Sequence, residues 1–199
     1  LIERSWRKDP AHMPWVSQSQ TYELNLNGLR VGNLPRLAAQ IDFSHVTDLN
    51  LNHMDCRDTA ASFLEHFTGL TSLQMDHNRM VYLPPQLARM PRLRHLSLAH
   101  NLLYLSSADA AVMRSMHRLE TLDLNDNLLG PLLDLSGLPY LRRVYLRRTW
   151  IQQWPEGLIS RPLLEAADLR ENQLVDIPEL VYQTSPTLTR NISLSGNPL

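Results

Sequence analysis

Leu119-Glu120-Thr121-Leu122-Asp123-Leu124-Asn125-Asp126-Asn127-Leu128-Leu129 decides how this chain folds. Apolar residues stand at its first, fourth, sixth and eleventh places, and an asparagine stands at the ninth. The same spacing returns as Leu70, Leu73, Met75, Asn78, Met80 and as Leu93, Leu96, Leu98, Asn101, Leu103. It returns again as Leu164, Ala167, Leu169, Asn172, Leu174. Outward from these copies the period extends in both directions. The starts fall at residues 21, 46, 70, 93, 119, 141, 164 and 189, so the gaps are 25, 24, 23, 26, 22, 23 and 25. Near-even self-similarity of this kind marks a stack of identical supersecondary units.

The fourth and sixth places are two apart, so they share one face of a short strand while their neighbours face the other way. One copy cannot bury its own leucines; stacked copies share a core and pair their strands in parallel. The pattern is identified as the leucine-rich repeat signature. It implies an α/β solenoid with a parallel sheet on the concave face and short helices mixed with extended arms on the convex face. Such a solenoid ordinarily offers a surface that holds another protein.

Where the chain leaves the strand, buried backbone groups need partners. An amide side chain carries donors and an acceptor, so Asn78, Asn101, Asn127, Asn172 and Asn197 are expected to form a ladder. Leu29, Met54 and Thr149 depart from it, and the Thr149 hydroxyl serves in part. Alanine-rich arms at Arg57 to Phe67, with Asp58 or Thr59 as the cap, and at Ser106 to Met116 predict short helices. Arms holding Leu34-Pro35, Leu83-Pro84, Trp154-Pro155 and Ile177-Pro178 predict extended or irregular backbone. Gly130 to Pro139 is too short for a full helix.

Residues 21–199 read as the repeat domain. Leu1 to Gln20, with Trp6, Pro10, Pro14 and Trp15, lacks the period and reads as a cap over the open edge or the end of a preceding domain. The chain stops within a copy of the pattern at Asn197-Pro198-Leu199 without a cap, so the natural protein is expected to continue. Nineteen basic against twenty acidic residues leave a net charge of −1, which offers no global field for nucleic acid. No apolar run approaches the ~18 residues of a membrane span. Cys56 is the only cysteine, so no disulfide forms within the chain. The cysteine-rich caps of extracellular leucine-rich repeat receptors are missing. That points to a reducing compartment, or to a secreted protein working inside another cell. The sequon Asn191-Ile192-Ser193 falls in the sheet.

No cofactor motif stands out, and seven glycines leave few places for phosphate-binding loops. His53, His77 and His100 share the eighth place of consecutive copies, followed by Asp126. Three imidazoles and a carboxylate are zinc-ligand types, which keeps a metal-dependent activity open, but a column of evenly spaced side chains is expected to splay instead of converging, leaving a ladder that faces solvent or a partner and joins the partner-binding candidates. The outward strand places carry the partner-binding candidates. The first copies offer Glu23, Asp48, Asn50, Gln74 and Asp76; the middle offers His95, Ser97, Asp123, Asn125 and Asp126. The copy from Leu141 changes sign with Arg143, Tyr145, Arg147, Arg148 and Trp150, followed by Arg170. Arginine with tyrosine and tryptophan is the composition of binding hot spots. The acidic half is expected to steer the encounter.

Leu49-Asn50-Leu51 after His45-Val46-Thr47-Asp48, the run Ala167-Asp168-Leu169-Arg170-Glu171-Asn172-Gln173-Leu174, and above all the closing Arg190-Asn191-Ile192-Ser193-Leu194-Ser195-Gly196-Asn197-Pro198-Leu199 resemble the repeat region of bacterial NEL-type E3 ubiquitin ligase effectors. The repeats here are longer than those of the best-known members, as in a large-protein branch of that family. The resemblance implies a module that binds a host protein substrate on the concave face and restrains the parent's own catalytic domain, in an effector secreted into host cytoplasm. No catalytic residue carries over, so this fragment is expected to be inactive alone. Cys56-Arg57-Asp58 matches the family's Cys-x-Asp, yet Cys56 holds the eleventh place, where Met80 and Leu103 stand in other copies, and reads as a core residue. A cytosolic adaptor without ligase activity is the alternative.

Overall fold

Each copy of the pattern supplies one very short strand, and the strands pair in the order in which they are made. The computed structural model describes residues 22–131, 133–161, 163–183 and 189–199, so the predicted cap at residues 1–20 lies outside the described residues. The strands are β1 (Glu23–Asn25), β2 (Asp48–Asn50), β3 (Ser72–Gln74), β4 (His95–Ser97), β5 (Thr121–Asp123), β6 (Arg143–Tyr145), β7 (Ala166–Asp168) and β8 (Ile192–Ser193). They form one parallel sheet in sequential order. Register follows the repeat: Leu24, Leu49, Leu73, Leu96, Leu122, Val144, Ala167 and Ile192 stand in line across it.

That line, the sixth-place residues and the eleventh-place residues from Cys56 to Leu174 form the core, with Ile192 and Leu194 partly buried at its end. Fully burying one such side chain contributes roughly 1.5–3 kcal/mol, and only stacking removes both flanks from water. At the open edge Val31, the first copy's eleventh residue, is half exposed. Beneath the second and third copies, Phe43 stacks on Phe67 at 4.7 Å and Phe63 lies 5.0 Å from Phe67. Gly69 permits the close approach there, because a Cβ on it would come within 1.8 Å of the Ser44 carbonyl oxygen.

The asparagine ladder forms as expected and reaches backwards. Asn101 Oδ1 accepts from the Met80 N–H of the preceding repeat at 3.0 Å, while its Nδ2 donates to the carbonyls of Met75 and Leu98. Asn78, Asn127, Asn172 and Asn197 make the same kind of two-way clamp. In the sixth repeat the Thr149 hydroxyl donates to the Leu146 carbonyl at 2.8 Å, half of the amide's work. The other half passes to backbone: the Thr149 carbonyl accepts the Leu129 N–H at 3.2 Å, as the Met54 carbonyl accepts the Gly32 N–H at 3.0 Å.

Backbone conformation tracks this exchange. The eighth residue is left-handed in every repeat: glycine at both ends (Gly28, Gly196), and His53, His77, His100, Asp126, Arg148 and Glu171 between them. A second left-handed residue follows at the tenth place only in the repeats that lack the asparagine, at Arg30, Asp55 and Trp150. Without a side-chain acceptor the turn rotates a peptide carbonyl into its position. The φ values of +47° to +61° at Arg30, Asp55 and Trp150 cost about 1–2 kcal/mol each for non-glycine residues.

The convex arms correct two expectations. Short helices do form at α1 (Ala61–Leu64), preceded by a 3₁₀ turn over Asp58–Ala60, and at α2 (Ser107–Ser115). Ser106 caps α2 in a reciprocal box with Asp109. Neither Asp58 nor Thr59 caps α1: Asp58 lies inside the 3₁₀ turn, and its Oδ1 accepts the N–H groups of Val81 and Tyr82 in the next repeat. Two proline arms expected to be irregular are helical, with a 3₁₀ turn over Pro85–Arg89 and α3 (Glu179–Gln183) directly after Pro178. Proline suits the first turn of a helix, where its missing N–H has no partner to lose. Among the described residues the Gly130–Pro139 arm has no helix; Asp134 pairs there with Glu156 through an isolated bridge.

Candidate functional site: the concave face and its rim

The outward residues form four columns across the sheet and the turn beyond it. In the column at the fifth place Asn50, Gln74, Ser97, Asp123, Tyr145 and Asp168 follow one another in register. Asn50 donates to Gln74 Oε1 at 3.2 Å. Asp48 belongs to the column at the third place, where it stands between Glu23 and Ser72 and accepts from the Thr47 hydroxyl.

The next column works for the sheet itself. Asp76 Oδ1 accepts from the Ser97 hydroxyl at 2.6 Å and from the Ala99 N–H at 2.8 Å. Asn52 and Asn125 do likewise for the N–H groups of Asp76 and Arg147, each one repeat ahead. Asp76, expected to steer a partner, thus has a structural task. Asp123 beside it meets no cation at bonding distance among the described residues. Burial pushes its carboxyl up to about 6, against the hydrogen bond from Asn125, and the charges of Asp76, Asp126 and Asp168 push the same way.

The arginine cluster is present as a surface, but its charges are met within the chain. Arg143 Nη2 lies 2.9 Å from Glu165, which Arg142 also engages. Arg147 pairs with Glu171, and Arg148 Nε lies 2.6 Å from Asp126 Oδ1. Arg170 folds back on Asp168 at 2.6 Å. Exposed pairs of this kind add little stability, yet they fix where each guanidinium points. The change of sign read from the sequence is therefore a lattice of alternating charges.

At the eighth place the histidines stack; the expected splay does not occur. His53 and His77 lie with ring centres 4.3 Å apart and planes within 10°, and His77 and His100 lie 4.1 Å apart within 9°. One left-handed backbone in every repeat holds successive rings parallel at the strand spacing of ~4.8 Å. His100 Nε2 lies 3.4 Å from Asp126, so the column continues into Asp126, Arg148 and Glu171. Face-to-face rings do not converge, and no group of three metal-ligating side chains does so among the described residues.

Beyond this column runs an apolar rim. Leu102, Leu128 and Trp150 occupy the tenth place of three consecutive repeats and are 59%, 51% and 61% exposed. Behind them Tyr104, Leu128, Trp150 and Trp154 line a cleft of about 420 Å³.

Three-dimensional comparison places the chain among solved structures of one architecture. It aligns with an internalin of Listeria monocytogenes over 78% of this chain and 51% of that one (TM-score 0.57, 19% identity). It also aligns with the Arabidopsis receptor kinase HAESA, solved with a peptide hormone and a co-receptor, over 98% of this chain and 39% of that one (TM-score 0.66, 18% identity). The fold is a leucine-rich repeat solenoid. Among curated proteins, this leucine-rich repeat chain is 35% identical over 113 residues to podocan-like protein 1 of Mus musculus, covering 53% of the chain and 19% of that protein. It is 37% identical over 89 residues to trophoblast glycoprotein of Macaca fascicularis, covering 42% of the chain and 21% of that protein. The chain thus spans about a fifth of each relative's length. No family model matches it.

Within the leucine-rich repeat frame Cys56 is fully buried, and burial, with Asp55 beside it, pushes its thiol up to about 11. Nothing there generates a thiolate nucleophile. The sequence reading found the concave columns and Trp150 but missed the rest of the rim. Leu102 and Leu128 look like ordinary members of a leucine-rich pattern, and only their tenth place marks them as outward-facing.

Proposed function

We propose that this chain is a protein-binding module whose contact surface spans the fourth to sixth repeats. It joins Tyr145, Arg147 and Arg148 on the concave face to the rim of Leu102, Leu128 and Trp150. The observation that carries this reading is the rim. Three large apolar side chains on adjacent repeats stay in water beside oriented arginines, and exposed patches of that kind mark interaction sites. Because the guanidiniums are held by neighbouring carboxylates, the aromatic and aliphatic groups supply most of the affinity and the charges supply register. The test takes a partner captured from host-cell extract and measures its affinity for purified variants. Trp150→Ala and Tyr145→Ala should each weaken binding about thirtyfold, the ~2 kcal/mol of a hot-spot residue, while Asp48→Ala changes it little. Equal affinity for all three variants would refute the surface.

The finer reading is the substrate-recognition and autoinhibitory arm of a secreted bacterial E3 ubiquitin ligase effector in host cytoplasm. It rests on the resemblance of Ala167–Leu174 and Arg190–Leu199, and the lone buried cysteine accords with a reducing compartment. On that reading ubiquitin transfer needs a catalytic cysteine in a domain outside residues 1–199. A full-length protein inactive in a reconstituted transfer assay would leave the adaptor.

A further inference from the structure

At the amino-terminal end of the rim, in the three repeats before Leu102, Arg30, His53, Asp55, His77 and Arg79 line a cleft of about 310 Å³. Turn geometry gathers them. His53 and His77 hold the left-handed eighth place, and Arg30 and Asp55 hold the additional left-handed tenth place of two of the three repeats that lack the asparagine. Arg79 Nε lies 2.6 Å from Asp55 Oδ1, so one guanidinium is met by the cleft's one carboxylate. Arg30 has no such partner among the described residues. Two guanidiniums against one carboxylate leave a single positive charge, and each protonated imidazole adds another.

We infer that this cleft is a binding site for a doubly charged oxyanion, a phosphate or sulfate group. The unmatched groups are a guanidinium fork and ring N–H donors, which bind tetrahedral oxyanions through charge-assisted hydrogen bonds. A monoanion would only duplicate Asp55. A dianion answers Arg30 and the charge that the histidines acquire. Histidine ordinarily changes charge between about pH 5 and 8. The two rings stack 4.3 Å apart, and Arg30, Arg79 and Asp55 line the same cleft. His100, stacked on the far face of His77, has Asp126 as its own acid, and the Asp76 carboxylate is turned to Ser97 and Ala99. A bound dianion favours the protonated form of the rings it touches, so binding takes up protons and tightens as pH falls.

Sodium sulfate tests this directly, because sulfate stays a dianion across the range. The full chain is titrated at constant ionic strength, balanced with chloride, while the histidine ring resonances are followed by NMR. Saturable shifts of His53 and His77 are expected with a Kd on the order of 1 mM, tightening about tenfold from roughly pH 7.5 to 5.5. Arg30→Gln should weaken binding about tenfold with the thermal midpoint unchanged, since among the described residues no hydrogen bond or ion pair of the Arg30 side chain holds the fold. Inorganic phosphate and a phosphoserine peptide should both compete. Tighter peptide binding assigns the site to an ester on a protein, and equal binding assigns it to the free ion. Shifts no larger than chloride produces, undiminished binding by Arg30→Gln, or competition by neither phosphate would overturn the inference. Such a failure leaves the protein-contact surface untouched, because the probe is an ion and the residues differ.

Discussion

Replacing Asn101 with threonine converts the fourth repeat to the chemistry of the sixth, and the structure sets the cost. The Met80 N–H loses its acceptor, Asn101 Oδ1 at 3.0 Å, and becomes a buried donor without a partner. The carbonyls fare better: Met75 keeps the bond from Asn78, Leu98 keeps the bond from Asn127, and the new hydroxyl can reach Leu98 as Thr149 reaches Leu146. One orphaned donor costs about 1–3 kcal/mol, and the weakened carbonyls add about 0.5 kcal/mol. The expected loss is therefore about 2–3 kcal/mol, or a fall of about 1 M in the urea midpoint for a slope near 2 kcal/mol/M. The sixth repeat also prescribes a rescue. Thr149 passes the acceptor role to its own carbonyl because Trp150 is left-handed. Leu102→Gly makes that conformation available in the fourth repeat, and in the Asn101→Thr background it should restore about 1 kcal/mol. In the native background the same glycine should destabilise. A loss below about 0.5 kcal/mol for Asn101→Thr, or an identical effect of Leu102→Gly in both backgrounds, would refute the reasoning.

Asp123 makes folding pH-dependent. Its carboxyl lies at about 6 when folded, above the unfolded value of ~3.9, so the folded chain holds the proton more tightly and stability falls as pH rises through that window. Asp123→Asn should remove the slope and stabilise by on the order of 1 kcal/mol at pH 7, a figure reduced because the carboxyl keeps part of its water; an unchanged slope in denaturation across pH 4–7 would exclude Asp123 as its source. Gly69→Ala drives a methyl group into the Ser44 carbonyl and should cost at least about 3 kcal/mol by thermal unfolding, with a near-native midpoint counting against the close approach. Cys56 should react with a thiol reagent only as fast as the protein opens, becoming fast in urea; rapid labelling of the native chain would contradict its burial.

The sequence carried the core because leucines two apart and an asparagine five after the first strand leucine are local signals with direct physical meaning. What it hid were relations between repeats. Asp58 looks like a helix cap when read with its neighbours, but its partners, Val81 and Tyr82, lie more than 20 residues on. The arginines from Arg143 to Arg170 read as a positive patch because Glu165 and Glu171 fall at places that reach them only when the coil closes. The histidine column was legible as a column, but not as a stack, since ring orientation follows from a backbone conformation that the spacing does not encode. The arms at Leu83-Pro84-Pro85 and Ile177-Pro178 misled in a simpler way: proline excludes a helix before it and permits one after it.

The backward reach of each asparagine gives the solenoid a polarity. Asn197 satisfies the Leu174 N–H and the Leu169 carbonyl, both in the repeat before it, and every earlier rung leans the same way. Shortening the coil from its carboxy-terminal end thus strips a buried acceptor from the newly terminal repeat, whereas shortening it from the other end removes part-buried acceptors such as Asn52 Oδ1, which takes the Asp76 N–H one repeat ahead. The two ends are not equivalent wounds. Because the asparagine clamps are buried and the forward-reaching acceptors lie nearer solvent, unzipping should start from the carboxy-terminal side and advance rung by rung.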